Sequence, residues 1–251
     1  MKQKQRHSKL LELLYDFSRI EVNELSRCLG VSQVTVRKDL DTLEARGLLR
    51  REHGYAVETR TDDISSRLAL HHGIKQVIAR TAAQYVNNGE TVMIESGSCC
   101  ALLAQELATT KKGITIITNS AFTARYTGTF SNIRIVLLGG EFQPISQAMV
   151  GPLMRECAQN FHVDKLFVGT DGFSMETGFT GENLMRCEAI QEMAKRATRV
   201  FVMTESRKFH QQGVVAEFKP EEVSVLVTDK GISPSLTDYL SSYMEVIIAE
   251  E

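Results

Sequence analysis

The chain has 251 residues, 43% hydrophobic and 24% charged, enough for a buried core in one large domain or two smaller ones. It has no run of about 18 apolar residues, which excludes a membrane-spanning helix. The basic N-terminal stretch is interrupted by Glu12 and Asp16 with no small-residue cleavage site after it, so no secretory leader and a cytoplasmic location are expected. The five cysteines (Cys28, Cys99, Cys100, Cys157, Cys187) are odd in number and form no CxxC pair, so reduced thiols are expected rather than a disulfide framework or structural zinc. The net charge of −2 is uneven: residues 1–60 carry 12 Lys+Arg against 9 Asp+Glu, leaving 17 against 22 in the rest. A small basic module attached to a larger acidic body follows.

Within the first module, "RHSKLLELLYDF" places Leu10, Leu13, Leu14 and Phe17 on one helical face. "RIEV" is a short extended piece. "NELSRCLG" predicts a two-turn helix with Leu25, Cys28 and Leu29 inward, closed by Gly30. "VSQVTVRKDLDTLEARG" predicts another, capped by Ser32, carrying Val36, Leu40 and Leu43 inward and ending at Gly47. "LLRREHGYAV" reads as two short strands about a turn at His53-Gly54. This order is that of a winged helix-turn-helix, whose second helix enters the DNA major groove. Its outward side chains, Ser32, Gln33, Thr35, Arg37 and Lys38, suit base edges and phosphates. Arg50 and Arg51 on the wing are expected at phosphates, in salt-sensitive contact with double-stranded DNA.

The span "LGVSQVTVRKDLDTLEARGLLRREHGYAV" resembles the DeoR family of bacterial transcriptional regulators. Members read LGVS, two variable residues, T-[IV]-R-[RK]-D-L, a Leu-Glu pair, Gly-Leu-Leu and an Arg before HGG. Tyr55 departs from this pattern, standing where a second glycine is usual.

Residues 58–69 are polar and without a clean period, and are expected as a linker between a 1–57 DNA-binding domain and a 70–251 body. The body opens with a helix, "IKQVIARTAAQYVNNG", with Ile74, Val77, Ile78, Ala82 and Val86 apolar. Apolar strands then alternate with helices. The strands are "TVMIE", "ITIIT", "IRIVLLG", "KLFVGT", "RVFVMT" and "VSVLVT"; the helices fall near 99–108, 120–127, 148–160, 184–198 and 234–242. An α/β fold with a doubly wound, mostly parallel sheet is expected, covered on both faces. Ligands of such sheets bind beyond the C-terminal strand ends, where the strand order reverses. The candidate contacts there are Glu95, Ser96, Gly97, Ser98 and Cys99, then Asn119 and Ser120, Gly139 and Gly140, Asp171 and Gly172, Thr180 and Lys208. A helix start with hydroxyls, glycine and a lysine suits a small anion such as phosphate. Cys99 and Cys100 would be reactive only if the helix start lowered their pKa.

The body also resembles the DeoR-type sensor domain over about residues 70–245, through "ESGS", "TNS", "LLGG", "FVGTDG" with "GFT", and "ESRKF". "MVGPL" with "ETGFTG" is similar to the YciT-type branch and "VDKLFVGTDG" to glucitol-operon repressors, which leaves the branch open. The resemblance implies a sensor of phosphorylated sugars on a sugar-phosphate isomerase-like fold. Glu205 and Arg207 depart from the usual Asp and Ser, and Gln191 or Glu192 stands where a helix lysine is common.

No HxH, HExxH, GxSxG or GxGxxG occurs, and Asp171, Glu182 and Glu188 as bases compete with loop-bonding and solvated roles. A binding domain without catalytic residues, cofactor or metal is therefore expected. The alternatives are an isomerase carrying a DNA-binding module, and an architectural protein whose body only oligomerises. Two half-sites at fixed spacing imply a homo-oligomer, dimer or tetramer.

Overall fold

The computed structural model describes residues 2–17, 19–45, 48–57 and 62–250. They fall into two compact units, Met1–His72 and Gly73–Glu251.

The first unit contains α1 (Gln3–Phe17), β1 (Arg19–Glu21), α2 (Val22–Leu29), α3 (Gln33–Ala45), β2 (Arg50–Glu52), β3 (Tyr55–Val57) and α4 (Ile64–Ala69). Its core gathers Leu10 and Leu14, Leu25 and Leu29, and Val36, Leu40 and Leu43. Each fully buried aliphatic side chain of this kind contributes roughly 1.5–3 kcal/mol. Gly30 ends α2 with φ +64, the left-handed geometry that glycine adopts without a Cβ penalty. Ser32 Oγ accepts from the Thr35 backbone N–H at 3.2 Å, as expected of a cap. Two inward residues are corrected. Phe17 is 61% exposed, and Leu11 joins the core instead. Cys28 is exposed on the outer side of α2, and Val22 is buried in its stead.

The strands form an antiparallel sheet in the order β1-β3-β2. Tyr55 pairs with Glu21 and Glu52 across it, and the Arg19 guanidinium lies 4.1 Å above its ring. The left-handed positions of the turn are His53 and Gly54, so a side chain at 55 costs no strain. The helix end expected at Gly47 lies outside the described residues. Of the expected linker, 58–61 also lies outside them, whereas 64–69 is helical because the Asp63 carboxylate accepts from Ser66 N–H at 2.9 Å.

The second unit begins with α5 (His72–Ala83), which buries Ile78, Ala79 and Ala82. Ile74, expected on that face, is 39% exposed. The remaining elements are β4 (Thr91–Ile94), α6 (Ser98–Thr110), β5 (Ile114–Thr118), α7 (Ala121–Thr127), β6 (Ile133–Leu137), β7 (Glu141–Gln143), β8 (Ala148–Val150), α8 (Gly151–Ala158), β9 (Val163–Val168), β10 (Gly172–Ser174), β11 (Gly178–Gly181), α9 (Leu184–Ala194), β12 (Ala197–Met203), a 3-10 turn at Ser206–His210, β13 (Val215–Phe218), β14 (Val225–Asp229), α10 (Pro234–Ser241) and β15 (Glu245–Ala249).

Seven strands form one sheet in the order β15-β14-β12-β9-β4-β5-β6, all of its pairings parallel. The central strands are apolar on both faces, with Val92, Met93, Ile94, Leu166, Phe167 and Val168 fully buried. The fold is therefore α/β and doubly wound, as expected. Residues 148–150, expected as helix, pair with β7 as a strand. The helix expected to reach 198 stops at Ala194, because Ala197 already pairs with Val163.

The chain runs outward from β4 through β5 to β6, then returns to place β9 on the other side of β4. Strand order thus reverses between β4 and β9. Glu95–Ser98 follows the first of these strands and Gly169–Asp171 the second.

Candidate functional site

Two groups of residues are the candidates for function: the outward face of α3 and the loops at the β4/β9 reversal. On α3, Ser32, Gln33, Arg37 and Lys38 are exposed and Thr35 is half-buried. Asp39 points the other way, 2% exposed, and fixes the helix to α1. Arg6 Nη2 donates to Asp39 Oδ1 at 2.9 Å, Arg6 Nε donates to Oδ2, and His7 Nε2 lies 2.9 Å from Oδ1. Burial alone would raise the Asp39 pKa; the hydrogen bonds and charges of Arg6 and His7 outweigh it and hold the carboxyl below its ordinary value. The wing arginines have acidic neighbours. Arg50 Nη2 donates to Glu52 Oε1 at 2.8 Å, Arg51 pairs with Asp41, and the Arg51 backbone N–H donates to Glu44 at 2.7 Å. Exposed pairs of this sort are weak enough for a phosphate to replace the carboxylate.

In the second unit the ESGSC turn sits at the reversal point, but its residues divide their roles. Glu95 is turned inward, 4% exposed, and accepts from Gly169 N–H at 2.9 Å and from Ser96 Oγ at 3.2 Å, tying the β4 and β9 loops together. A Cβ on Gly97 would collide with the Glu95 carboxylate, so this glycine is needed for Glu95 to fold back. Ser98 opens α6, ahead of the helix's first internal bond, Ala101 N–H to Gly97 O. Its first-turn N–H groups therefore lack helical acceptors. Burial, with the Glu95 charge behind it, pushes the Cys100 thiol well above the ordinary range, which removes it as a reactive thiolate.

The loops after β9 and β12 carry a set of paired charges. Asp171 has Lys208 Nζ at 3.8 Å and Arg186 Nη2 at 3.9 Å, and accepts from Glu182 N–H at 3.3 Å. Glu205 has Lys75 Nζ at 3.5 Å and accepts from Arg207 Nε at 3.0 Å. Glu205 and Arg207, which both depart from the family pattern, are thus an ion pair with each other. Glu217 on β13 is 6% exposed, with Cys187 Sγ 3.6 Å from Oε1, and its Oε2 has no hydrogen-bond partner within 3.5 Å among the described residues. Burial, reinforced by the charges of Asp171 and Glu95, raises its pKa to about 8. Lys75, Arg186, Arg207 and Lys208 are matched in number by Glu95, Asp171, Glu205 and Asp229, the last of which accepts from Ser206 N–H and Oγ at 2.7 Å.

Several expected contacts are engaged elsewhere. Asn119 Nδ2 donates to Met149 O at 3.1 Å, and Ser120 Oγ caps α7 by accepting from Thr123 N–H at 3.0 Å. Gly140 packs so closely on Val150 and Met154 that a Cβ would not fit, while Gly139 faces Cys157 Sγ. Gly172 abuts the Gln211 backbone, and Thr180 Oγ1 accepts from Gly213 N–H at 2.8 Å. These residues hold the loops in shape. Sequence reasoning missed Lys75, Arg186 and Glu217. Lys75 had a signal, since it shares the i, i+3, i+4, i+7 stripe of Ile78, Ala79 and Ala82.

A helix-turn-helix in one unit and a parallel α/β sheet with polar strand-end loops in the other are the parts of a DNA-binding regulator with a sensor domain. Residues 6–61 match the DeoR-like helix-turn-helix domain and residues 70–230 the DeoR C terminal sensor domain. The chain belongs to the DeoR family of transcriptional regulators. It is 31% identical over 236 residues to the HTH-type transcriptional regulator GolR of Listeria innocua, covering 92% of each chain. It is 28% identical over 257 residues to a putative aga operon transcriptional repressor of Escherichia coli O157:H7, covering 98% of this chain and 94% of the other. Among solved structures, a ribose 5-phosphate isomerase from Methanocaldococcus jannaschii aligns with TM-score 0.41 at 17% identity, over 55% of this chain and 54% of that one. The relatives do not select a branch of the family. Among the described residues no helix is long and apolar enough to cross a membrane.

Proposed function

We propose that this protein represses a carbohydrate-metabolism operon and releases its operator when a phosphorylated sugar occupies the strand-end cluster. Residues 1–57 read the operator as part of a homo-oligomer, and residues 70–251 hold the effector. The observation that carries this is the start of α6 at the strand-order reversal, with its first-turn N–H groups and the Ser98 hydroxyl; the ion-paired Lys75, Arg186, Arg207 and Lys208 of the same unit add cations held on Glu205 and Asp171. The aga operon repressor among its relatives supports a carbohydrate-linked target.

The phosphate binds at the α6 start, the polyol extends toward Asp171, and the bound form favours an oligomer geometry that does not match the half-site spacing. DNA must then weaken the effector by the factor by which the effector weakens DNA.

A thermal-shift panel of phosphorylated and unphosphorylated sugars tests the reading, because a ligand specific to the native state raises the midpoint. Phosphorylated compounds are expected to raise it and their unphosphorylated parents not. No shift from any phosphorylated compound at millimolar concentration would remove the reading's support. Ser98→Ala should weaken the response to the best compound by about tenfold, the worth of one charge-assisted hydrogen bond, and leave DNA affinity unchanged. Arg37→Ala should cost about 1–3 kcal/mol of DNA affinity in a binding titration and leave the thermal shift intact.

A further inference from the structure

The geometry points to Val34 as a base-reading residue of α3, contacting the C5-methyl of a thymine in the operator; this rests on the assignment of α3 as the helix that reads DNA. Val34 is 61% exposed. At about 100° per residue, Arg37, Lys38 and Asp41 fall within roughly 60° of Val34, and the buried Val36, Leu40 and Leu43 occupy the opposite side. The burial pattern agrees: 34, 37, 38 and 41 are exposed, and 36, 40 and 43 are buried. An apolar side chain therefore stands at the centre of the helix's outward face, in its first turn, where a recognition helix meets base edges.

Charge along the same face decides which end enters the groove. Arg37 and Lys38 follow Val34 by one turn, whereas Asp41 and Glu44 come later and face Arg51. Phosphates attract the first half and are repelled by the second, so α3 approaches DNA by its N-terminal turns. Val34 has no hydrogen-bonding group. In the major groove the thymine C5-methyl is the base feature that an aliphatic side chain reads, and it distinguishes thymine from cytosine and from deoxyuridine. Gln33 and Arg37, which precede and follow Val34 along the chain, supply polar readout for adenine and guanine, so the methyl contact falls inside the read sequence.

The test uses the full-length protein and the tightest duplex it enriches from a random-sequence pool. Each thymine of that duplex is replaced in turn by deoxyuridine, which deletes only the methyl. Wild type is expected to lose roughly three- to tenfold in affinity at one thymine per half-site, the worth of about one buried methyl group. Val34→Ala should bind the parent duplex more weakly by a similar factor and be indifferent to deoxyuridine there. Val34→Thr, which keeps a γ-methyl, should retain part of the discrimination. The assignment is overturned if Val34→Ala keeps the full methyl dependence, or if no thymine methyl matters to wild type while Arg37→Ala still weakens binding. Enrichment of no sequence at all would instead overturn the reading role of α3, and this assignment with it.

Discussion

Asp39→Asn should destabilise the DNA-binding unit by about 2–3 kcal/mol, the cost of leaving a largely buried arginine without its anion, discounted for the residual exposure of Arg6. In a unit of this size that lowers the midpoint by roughly 10–20 °C. The Arg6 and Asp39 side chains are 12% and 2% exposed, and the pair joins α1 to the recognition helix. Loss of the clamp frees the tilt of α3, so DNA affinity should fall before the unit melts. Calorimetry of the full chain reads the first effect and a binding titration the second. Because the Asp39 carboxyl is held below its ordinary value of 3.8, its contribution is present above that pH and disappears as pH falls through the depressed value. Wild type and variant should therefore converge only in acid below about pH 4. A double change, Arg6→Met with Asp39→Leu, removes both charges and should recover most of the loss. Failure to recover would mean that Asp39 acts through something other than the ion pair.

Glu217→Gln should stabilise the sensor unit, by an amount that grows with pH. The carboxyl sits at about 8 against an ordinary 4.5. Its folded-state pKa is raised, so the wild type has its full stability below the unfolded value and loses stability as pH rises from 4.5 through 8. A neutral glutamine removes that slope. The difference should be near zero in mild acid and approach roughly 4–5 kcal/mol as an upper bound at pH 8. Denaturant titrations across that range measure it; a difference that does not change with pH would contradict the assignment. Cys187 does not compete as the titrating group, because burial and the Glu217 charge push its thiol up to about 12. Deprotonation of Glu217 also adds a negative charge beside Asp171 and Glu95. Anion affinity should thus fall in wild type as pH rises from about 7.5 to 9, beyond the range where phosphate itself titrates, and stay level in the variant.

Much of the architecture was written in local pattern. Val36, Leu40 and Leu43 recur at helical spacing and are buried; "TVMIE" and "KLFVGT" are continuous apolar runs and became the central strands β4 and β9. Cys28 and Phe17 were placed inward because an apolar residue near a helical stripe looks like core, although one faces outward and the other ends its helix. β15 was missed beyond the last helix, and β7, β8, β10, β11 and β13 are short segments whose partners are chosen by tertiary contacts. β13, for example, pairs with β11 across more than thirty residues. The site was legible as a place, because parallel strands bring their C-terminal loops to one edge. It was less legible as a set of residues. Ser120 and Thr180 have the chemistry of ligand contacts and spend it on backbone groups, whereas Asn119 gives its Nδ2 to Met149 O and keeps a buried Oδ1 without a partner among the described residues. Glu217 gave no signal at all, since one carboxylate in a four-residue strand is ordinarily solvated.

The central claim is that one chain reads DNA through α3 and lets go when the cluster around Ser98 is filled. It is tested most directly by the dissociation constant for the selected duplex, measured with and without the phosphorylated sugar that gives the largest thermal shift. The expected result is a 5- to 150-fold weaker complex for wild type, about the range of allosteric coupling, and little change for Ser98→Ala. An identical dissociation constant in the presence and absence of a compound that demonstrably binds wild type would contradict it.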